Sequence, residues 1–324
     1  MGLRWGILGC GSIAGQFARG LAHAPRATLA AVGSRSLEKA EKFRTEHGAG
    51  RAFGSYEELA ASGEVDAIYV ATPHPMHCDD TLLCLNHGKA VLCEKPFAIN
   101  ASEARKMVEA ARNNQVLLME AMWTRCFPIM VRLREELAAG RIGDVRFVSA
   151  DFGFRAGFDP KSRLFDPALG GGALLDVGVY AISFASMVLG KPTAVAGLMQ
   201  PAPTGVDAQS AFVLAYPNGA MASLFTSVES MTPWEATVLG TEGKIRVQSP
   251  FWKPSRMTIT VGDTEEIVDL PYEGNGYQFE AMEVESCMSQ GLLESPVMPH
   301  DETISIMETM DSLRSQWGLR YPSE

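Results

Sequence analysis

The stretch Gly9-Cys10-Gly11-Ser12-Ile13-Ala14 stands where an apolar run (Trp5, Ile7, Leu8) meets apolar residues recurring at roughly helical spacing (Ile13, Phe17, Leu21, Ala22). A strand, a glycine turn and a helix in that order make a cradle for a pyrophosphate. Gly9 permits the tight turn, Gly11 lets the phosphate approach the backbone, and Ala14 is small enough for close packing of helix on strand. The N–H groups from Ser12 and Ile13 onward lie at the positive end of the helix dipole, where an anion is stabilised. The plain alternative is a structural turn after a buried strand. A second cluster, Gly33-Ser34-Arg35-Ser36 with Lys39 one turn on, follows about twenty residues later, where NAD-specific sites carry an acidic residue for the ribose 2′-OH. Hydroxyls and a guanidinium suit a 2′-phosphate, which a carboxylate would repel, so NADP(H) is expected over NAD(H). Here the alternative is a solvated arginine at a helix start. A third cluster, His74-x-x-His77-Cys78-Asp79-Asp80, has metal-ligating residue types crowded into one turn with no second group elsewhere, and no metal site is expected from it.

The elements that position these residues alternate regularly at first. Strand-like segments at 28–32, 67–71, 90–93 and 116–119 are separated by helical ones, with Ser55 and Glu58 forming a capping box and a helix placed over 101–113. Repeated strand-helix alternation predicts a doubly wound parallel sheet, with ligands beyond the carboxyl ends of its strands. Thr72-Pro73 and Glu94-Lys95-Pro96 stand at such ends. After about residue 122 the pattern changes. Helices over 128–139 and up to Leu189 are joined by strand-like runs at 145–154, 194–199, 211–216, 220–227, 236–239, 244–247, 257–261 and 266–270, with Pro217-Asn218-Gly219 as a hairpin signal, and helices follow at 277–291 and 301–317. The fold class read from this is α/β: a dinucleotide-binding domain over 1–122, then an α+β domain over 123–324 with one large, mostly antiparallel sheet, leaving open that the last helix packs back on the first domain. Helices suffice for one face of that sheet only, so a homodimer, or a dimer of dimers, through the sheet is expected.

Composition narrows the classes of function. The chain has 46% hydrophobic and 20% charged residues and a net charge of −10. Scattered basic residues on an acidic chain argue against nucleic acid and anionic membranes as partners. No run reads as long enough to cross a bilayer, and the N-terminus enters a strand without a signal peptide. The six cysteines (10, 78, 84, 93, 126 and 287) show no C-x-x-C pairing, which suits a reduced cytoplasm.

Taken together, the N-terminal G-x-G-x-x-A, Ala71-Thr72-Pro73 with His77 four residues on, Gly88-Lys89 leading to Glu94-Lys95-Pro96, and the later run from Gly170 to Tyr180 (GGG-x-L-x-D-x-G-x-Y) resemble the glucose-fructose oxidoreductase/inositol dehydrogenase family over almost the whole chain. Within it, Cys93-Glu94-Lys95-Pro96, Met119 to Arg125 and Asp176 to Tyr180 are similar to the branch of dimeric trans-dihydrodiol dehydrogenases and NADP-dependent D-xylose 1-dehydrogenases. The resemblance implies that Lys95 lies beside a nicotinamide and hydrogen-bonds the reacting hydroxyl, that Tyr180 is the acid/base, and that Asp176 fixes its geometry. It implies cofactor contacts at Thr72, Pro73, His77, Glu94 and Arg163, and a substrate pocket of His77, Trp123, Phe152 and Trp252.

Elementary chemistry is consistent with these roles. Asp176 and Tyr180 are i and i+4, on one face of a helix. A tyrosine with a pKa of about 10 is a weak base at neutral pH, and an adjacent ammonium such as Lys95 favours its phenolate. Without the motif, Tyr180 would read as a buried helix tyrosine and the three aromatics as ordinary core. The reading is an NADP-dependent dehydrogenase acting on a small cyclic polyol, either an aldopyranose or a dihydrodiol. Its rivals are an NAD-dependent glycosidase of the same fold and a cofactor-sensing protein without activity.

Overall fold

Trp5, Ile7 and Leu8 are wholly buried in β1 (Leu3–Leu8), the strand around which the first sheet is built. The computed structural model describes residues 2–324. The remaining strands of this sheet are β2 (Ala27–Gly33), β3 (Arg51–Phe53), β4 (Ala67–Val70), β5 (Ala90–Glu94) and β6 (Leu118–Ala121). They run in the order β3-β2-β1-β4-β5-β6, every pairing parallel. Helices α1 (Ser12–Leu21), α2 (Leu37–His47), α3 (Tyr56–Ala61), α4 (His77–Asn86) and α5 (Ala101–Asn114) connect them. Continuous apolar runs in β1 and β4 are what a parallel sheet covered on both faces requires. The strand order reverses between β1 and β4, the switch point at which doubly wound sheets bind ligands. The three-residue β3 is too short to show an alternation and is not among the strands expected from the sequence. Ser36 caps α2 by accepting the Lys39 N–H, and Ser55 caps α3 by accepting the Glu58 N–H while the Glu58 carboxylate accepts from Gly54.

The second sheet has eight strands: β7 (Val145–Gly153), β8 (Ala194–Pro201), β9 (Asp207–Ala215), β10 (Met221–Ser227), β11 (Ala236–Gly240), β12 (Gly243–Val247), β13 (Arg256–Val261) and β14 (Thr264–Asp269). Their order is β14-β13-β12-β11-β7-β10-β9-β8, antiparallel except for β7 against β10. Helix α6 (Pro128–Ala138) precedes the sheet and α7 (Val179–Leu189) packs on β7 and β10. The chain closes with α8 (Tyr277–Ser289) and α9 (His300–Trp317). One compact unit comprises the residues up to Ala98, Ser102–Trp123 and Glu273–Thr303; the other comprises Ile99–Ala101, Thr124–Tyr272 and Ile304–Glu324.

The faces of the second sheet differ. Val148, Leu214, Leu224, Val238, Ile245 and Ile259 are buried on the inner one. On the other, a row of paired residues crosses all eight strands: Ala196, Val213, Ser223, Ser149, Thr237, Arg246, Thr258 and Ile267. One sequence expectation needs correction. The segment Pro167–Leu189, interrupted by a single charge at Asp176, is long and apolar enough to cross a bilayer by length and composition, although the chain reads as having no such run. Most of it is buried, as befits a helix covering a sheet.

Candidate active site

The first unit offers a phosphate-sized opening. Gly9 has φ +97°, and a Cβ on it would meet the Ala71 carbonyl at 3.0 Å, so the turn itself demands glycine there. Gly11 is different. Its φ of −93° suits any residue and nothing lies within 4 Å of where its Cβ would stand. The chain's own packing does not need glycine at 11; the space does. Gly11 is the N-cap of α1 and offers no side-chain cap, leaving the first N–H groups available to an anion. Ala14 is fully buried. A groove of about 370 Å³ continues from Cys10, Gly11 and Ser12 past Arg19, Lys39 and Lys42, with Glu46 also on its wall. Ser34 is buried just after β2, while Arg35 is exposed near Tyr56. These residues fit a phosphorylated dinucleotide.

The loops after β4 and β5 meet at His77, read from the sequence as a cofactor- or substrate-facing residue. His77 is fully buried, with Nδ1 2.9 Å from the Pro96 carbonyl and Nε2 2.8 Å from that of Thr72. Burial lowers its pKa, and the Lys95 charge acts in the same direction. With both ring nitrogens against backbone carbonyls, its ring sits between the Thr72-Pro73 loop and the Glu94–Pro96 loop. The Lys95 N–H donates to its neighbour Glu94 at 3.0 Å, and the Tyr69 hydroxyl donates to the other oxygen of the same carboxylate. Behind this pair Glu280 is fully buried, neither oxygen has a hydrogen-bond partner, and burial assisted by Glu94 pushes its pKa far above the carboxylate range. That setting favours its neutral form. Asp80, on the first turn of α4, is pushed up to about 6, chiefly by burial.

In the second unit the expected helix face is only partly regular. Leu174–Gly178 forms a π-helical turn that runs into α7, so Asp176 lies on the π turn and Tyr180 on the α-helix. Such turns contain one extra residue and recur at functional sites. The buried Asp176 carboxylate accepts from Arg163 at 2.7 Å. The structure therefore places Arg163, implied as a cofactor contact, on the aspartate beside the proposed acid/base. The Tyr180 ring lies 5.3 Å from that of Phe152, which stacks on Trp252 at 3.6 Å and 5°. Trp234 meets Trp252 edge-on and is held in a left-handed conformation (φ +66°) by bonds to Asp151 and Gly153. Trp123, at the end of the first unit, stacks on Tyr277 at 4.4 Å.

Residues 3–122 match the oxidoreductase family with an NAD-binding Rossmann fold, and 130–246 match the GFO/IDH/MocA C-terminal domain. The trans-1,2-dihydrobenzene-1,2-diol dehydrogenase of Mus musculus is 40% identical over 336 residues, spanning 100% of this chain and 99% of the relative. The chain belongs to the Gfo/Idh/MocA oxidoreductase family.

As a Gfo/Idh/MocA protein it is a dehydrogenase with an NAD(P)-binding Rossmann domain. Two solved structures are similar throughout. An aldose-aldose oxidoreductase from Caulobacter crescentus, complexed with glycerol, has 25% identity and a TM-score of 0.87, covering 96% of each chain. A 3-ketoreductase from Actinomadura kijaniata, in complex with NADP and TDP-benzene, has 25% identity and a TM-score of 0.85, covering 97% of this chain and 98% of its own. The Gfo/Idh/MocA motifs pointed to Asp176 and Tyr180 but not to what holds them. The Arg163 pairing, the π turn and the carboxylate of Asp207 on the Leu174 N–H carried no signal beyond the glycines around the turn.

Proposed function

We propose that the chain is an NADP(H)-dependent dehydrogenase that moves hydride between the nicotinamide and a hydroxyl-bearing carbon of a small cyclic polyol, an aldopyranose such as D-xylose or a trans-dihydrodiol. The observation that carries this reading is Tyr180 against the Phe152–Trp252 stack with the ion-paired Asp176 one turn before it. A phenol beside flat apolar rings suits the reacting hydroxyl of a ring-shaped substrate. Tyr180 takes the hydroxyl proton in oxidation and returns it in reduction. Lys95 donates to the same oxygen and stabilises its developing charge, and Asp176, its carboxylate anchored by Arg163, orients the phenol. The bound nicotinamide supplies only the hydride chemistry. Preference for NADP(H) is supported by Ser34, Arg35 and Lys39 after β2, where no carboxylate stands, and by the NADP in the similar 3-ketoreductase. Incubating the protein with NADP+ and a panel of aldoses and trans-dihydrodiols, while following the absorbance of reduced nicotinamide, tests the reading. Silence with every substrate would remove it.

We also propose a homodimer through the outer face of the second sheet. Its cross-strand row is continuous and largely of small or short side chains, and Leu198 is 81% and Ile267 59% exposed beside it. A second copy of the same flat face is the occupant its evenness suits. Light scattering should return twice 35.0 kDa at micromolar concentration; a monomer mass without concentration dependence would exclude the dimer.

A further inference from the structure

The turn bearing Asp176 is gripped by residues remote from it in sequence. Asp207, fully buried at the start of β9, accepts the Leu174 N–H at 2.7 Å, the first amide of the π turn. Its other oxygen has no hydrogen-bond partner and lies so close to Gly172 (φ +118°) that a Cβ there would stand 2.2 Å from it. Three residues earlier than Leu174, the Gly171 carbonyl accepts the buried hydroxyl of Tyr321 at 2.7 Å. Tyr321 is itself fixed: Arg314 lies 5.0 Å over its ring, and both its N–H and Arg314 are bonded to Glu324. At the far end of the turn Gly178 rests on Thr226, where a Cβ would come within 3.3 Å of the threonine methyl.

A π turn is rare and needs support from outside itself, because its hydrogen bonds reach one residue further than those of an α-helix. Relaxing it by one residue to regular helix would rotate Asp176 by about 100° relative to Tyr180. We propose that Asp207 and Tyr321 are positioning residues for the reaction: they hold the glycine segment at both ends of 171–174, keep the turn in its π form, and so set the direction of Asp176 relative to Tyr180. This rests on the assignment of Tyr180 as acid/base.

The test is a double-mutant cycle with a separate structural readout. Asp207→Ala should lower kcat about 10²-fold, the usual effect of misplacing a catalytic group by about an ångström, with NADP(H) affinity unchanged. Asp207→Asn, whose amide oxygen still accepts the Leu174 N–H, should restore kcat to within about threefold of wild type, as expected where only the acceptor matters. In a Tyr180→Phe background, Asp207→Ala should have little further effect, since both changes disable one unit. Undiminished loss in that background, or wild-type kcat in Asp207→Ala, would overturn the proposal. Should Asp207→Ala fail to fold, Tyr321→Phe, which deletes only a hydroxyl, takes its place in the same cycle. Hydrogen exchange is read alongside: both variants should speed exchange of the amides over 170–180 and leave the other strands protected. If Tyr180→Phe alone keeps full turnover, the acid/base assignment fails. The clamp is then judged on exchange, and unchanged protection over 170–180 in both variants overturns it.

Discussion

The phosphate-binding end of the first unit and the aromatic group of the second are built from opposite materials. The former consists of backbone N–H groups at Gly11 and Ser12 and exposed charges at Arg35 and Lys39, all supplied by short turns after single strands and the helix starts that follow them. The latter is buried and half-buried side chains from distant segments: Phe152 on β7, Trp252 a hundred residues later, Tyr180 on α7, and Asp176 on a turn held by Asp207. An anion is recognised by many small, interchangeable dipoles near the surface. A proton transfer needs a few side chains held to a fraction of an ångström, and tertiary packing has to supply that. Substitutions at the two ends should therefore fail in different ways.

The largest effect is expected at Tyr180. Tyr180→Phe keeps the ring against Phe152 and removes the hydroxyl, so turnover should fall by roughly 10²- to 10⁴-fold while NADP(H) affinity and the melting temperature stay near wild type. A parallel loss of cofactor affinity would erase the distinction between the two ends. Lys95→Met should also lower turnover, by about 10²-fold, with the melting temperature near wild type. Unchanged turnover would remove Lys95 from the reaction.

Smaller and opposite in kind is Arg35→Ala. Removing charge-assisted bonds to a 2′-phosphate should weaken NADP(H) by about 10- to 100-fold, equivalent to roughly 1.5–3 kcal/mol, with NAD(H) affinity and kcat unaltered. Equal weakening of both cofactors would show that Arg35 does not read the phosphate.

A last effect, on the fold and not on turnover, concerns stability against pH. Burial pushes Asp207 up to about 7, well above its usual value, so the folded state binds its proton more tightly than the unfolded state does. Its ionisation is therefore unfavourable to the fold: the stabilisation is fully present below about pH 4 and is lost as pH rises towards 7. Urea midpoints measured from pH 4.5 to 8 should fall more steeply for wild type than for Asp207→Asn. Parallel curves would show that the carboxyl does not titrate in that range.

The contrast between the ends also explains what could be read from the amino acids alone. The strand-turn-helix at 3–21 and the alternation up to about 120 are local patterns, and the strands they predicted match the sheet within a few residues. The strands of the second sheet were equally legible because each alternates on its own. The path of α7 was legible too, but not the π turn before it, since one extra residue in a helix leaves no period to detect. Spacing gave the position of His77 on α4 but could not show the two backbone carbonyls that close on its ring. The stacking partner of Trp123 was hidden for a related reason, since Tyr277 lies 154 positions away.

The open space at Gly11 bears on how relatives of this chain can diverge. Gly9 is required by the backbone itself, whereas Gly11 answers only to what enters the space above it. A lineage that ceased to use its cofactor would be free to drift at position 11 while remaining bound to glycine at 9, and its sheet would survive the change. The pair thus works as a historical marker: glycine at both positions records continued use of the nucleotide, and glycine at the first alone records a scaffold kept after its trade was abandoned.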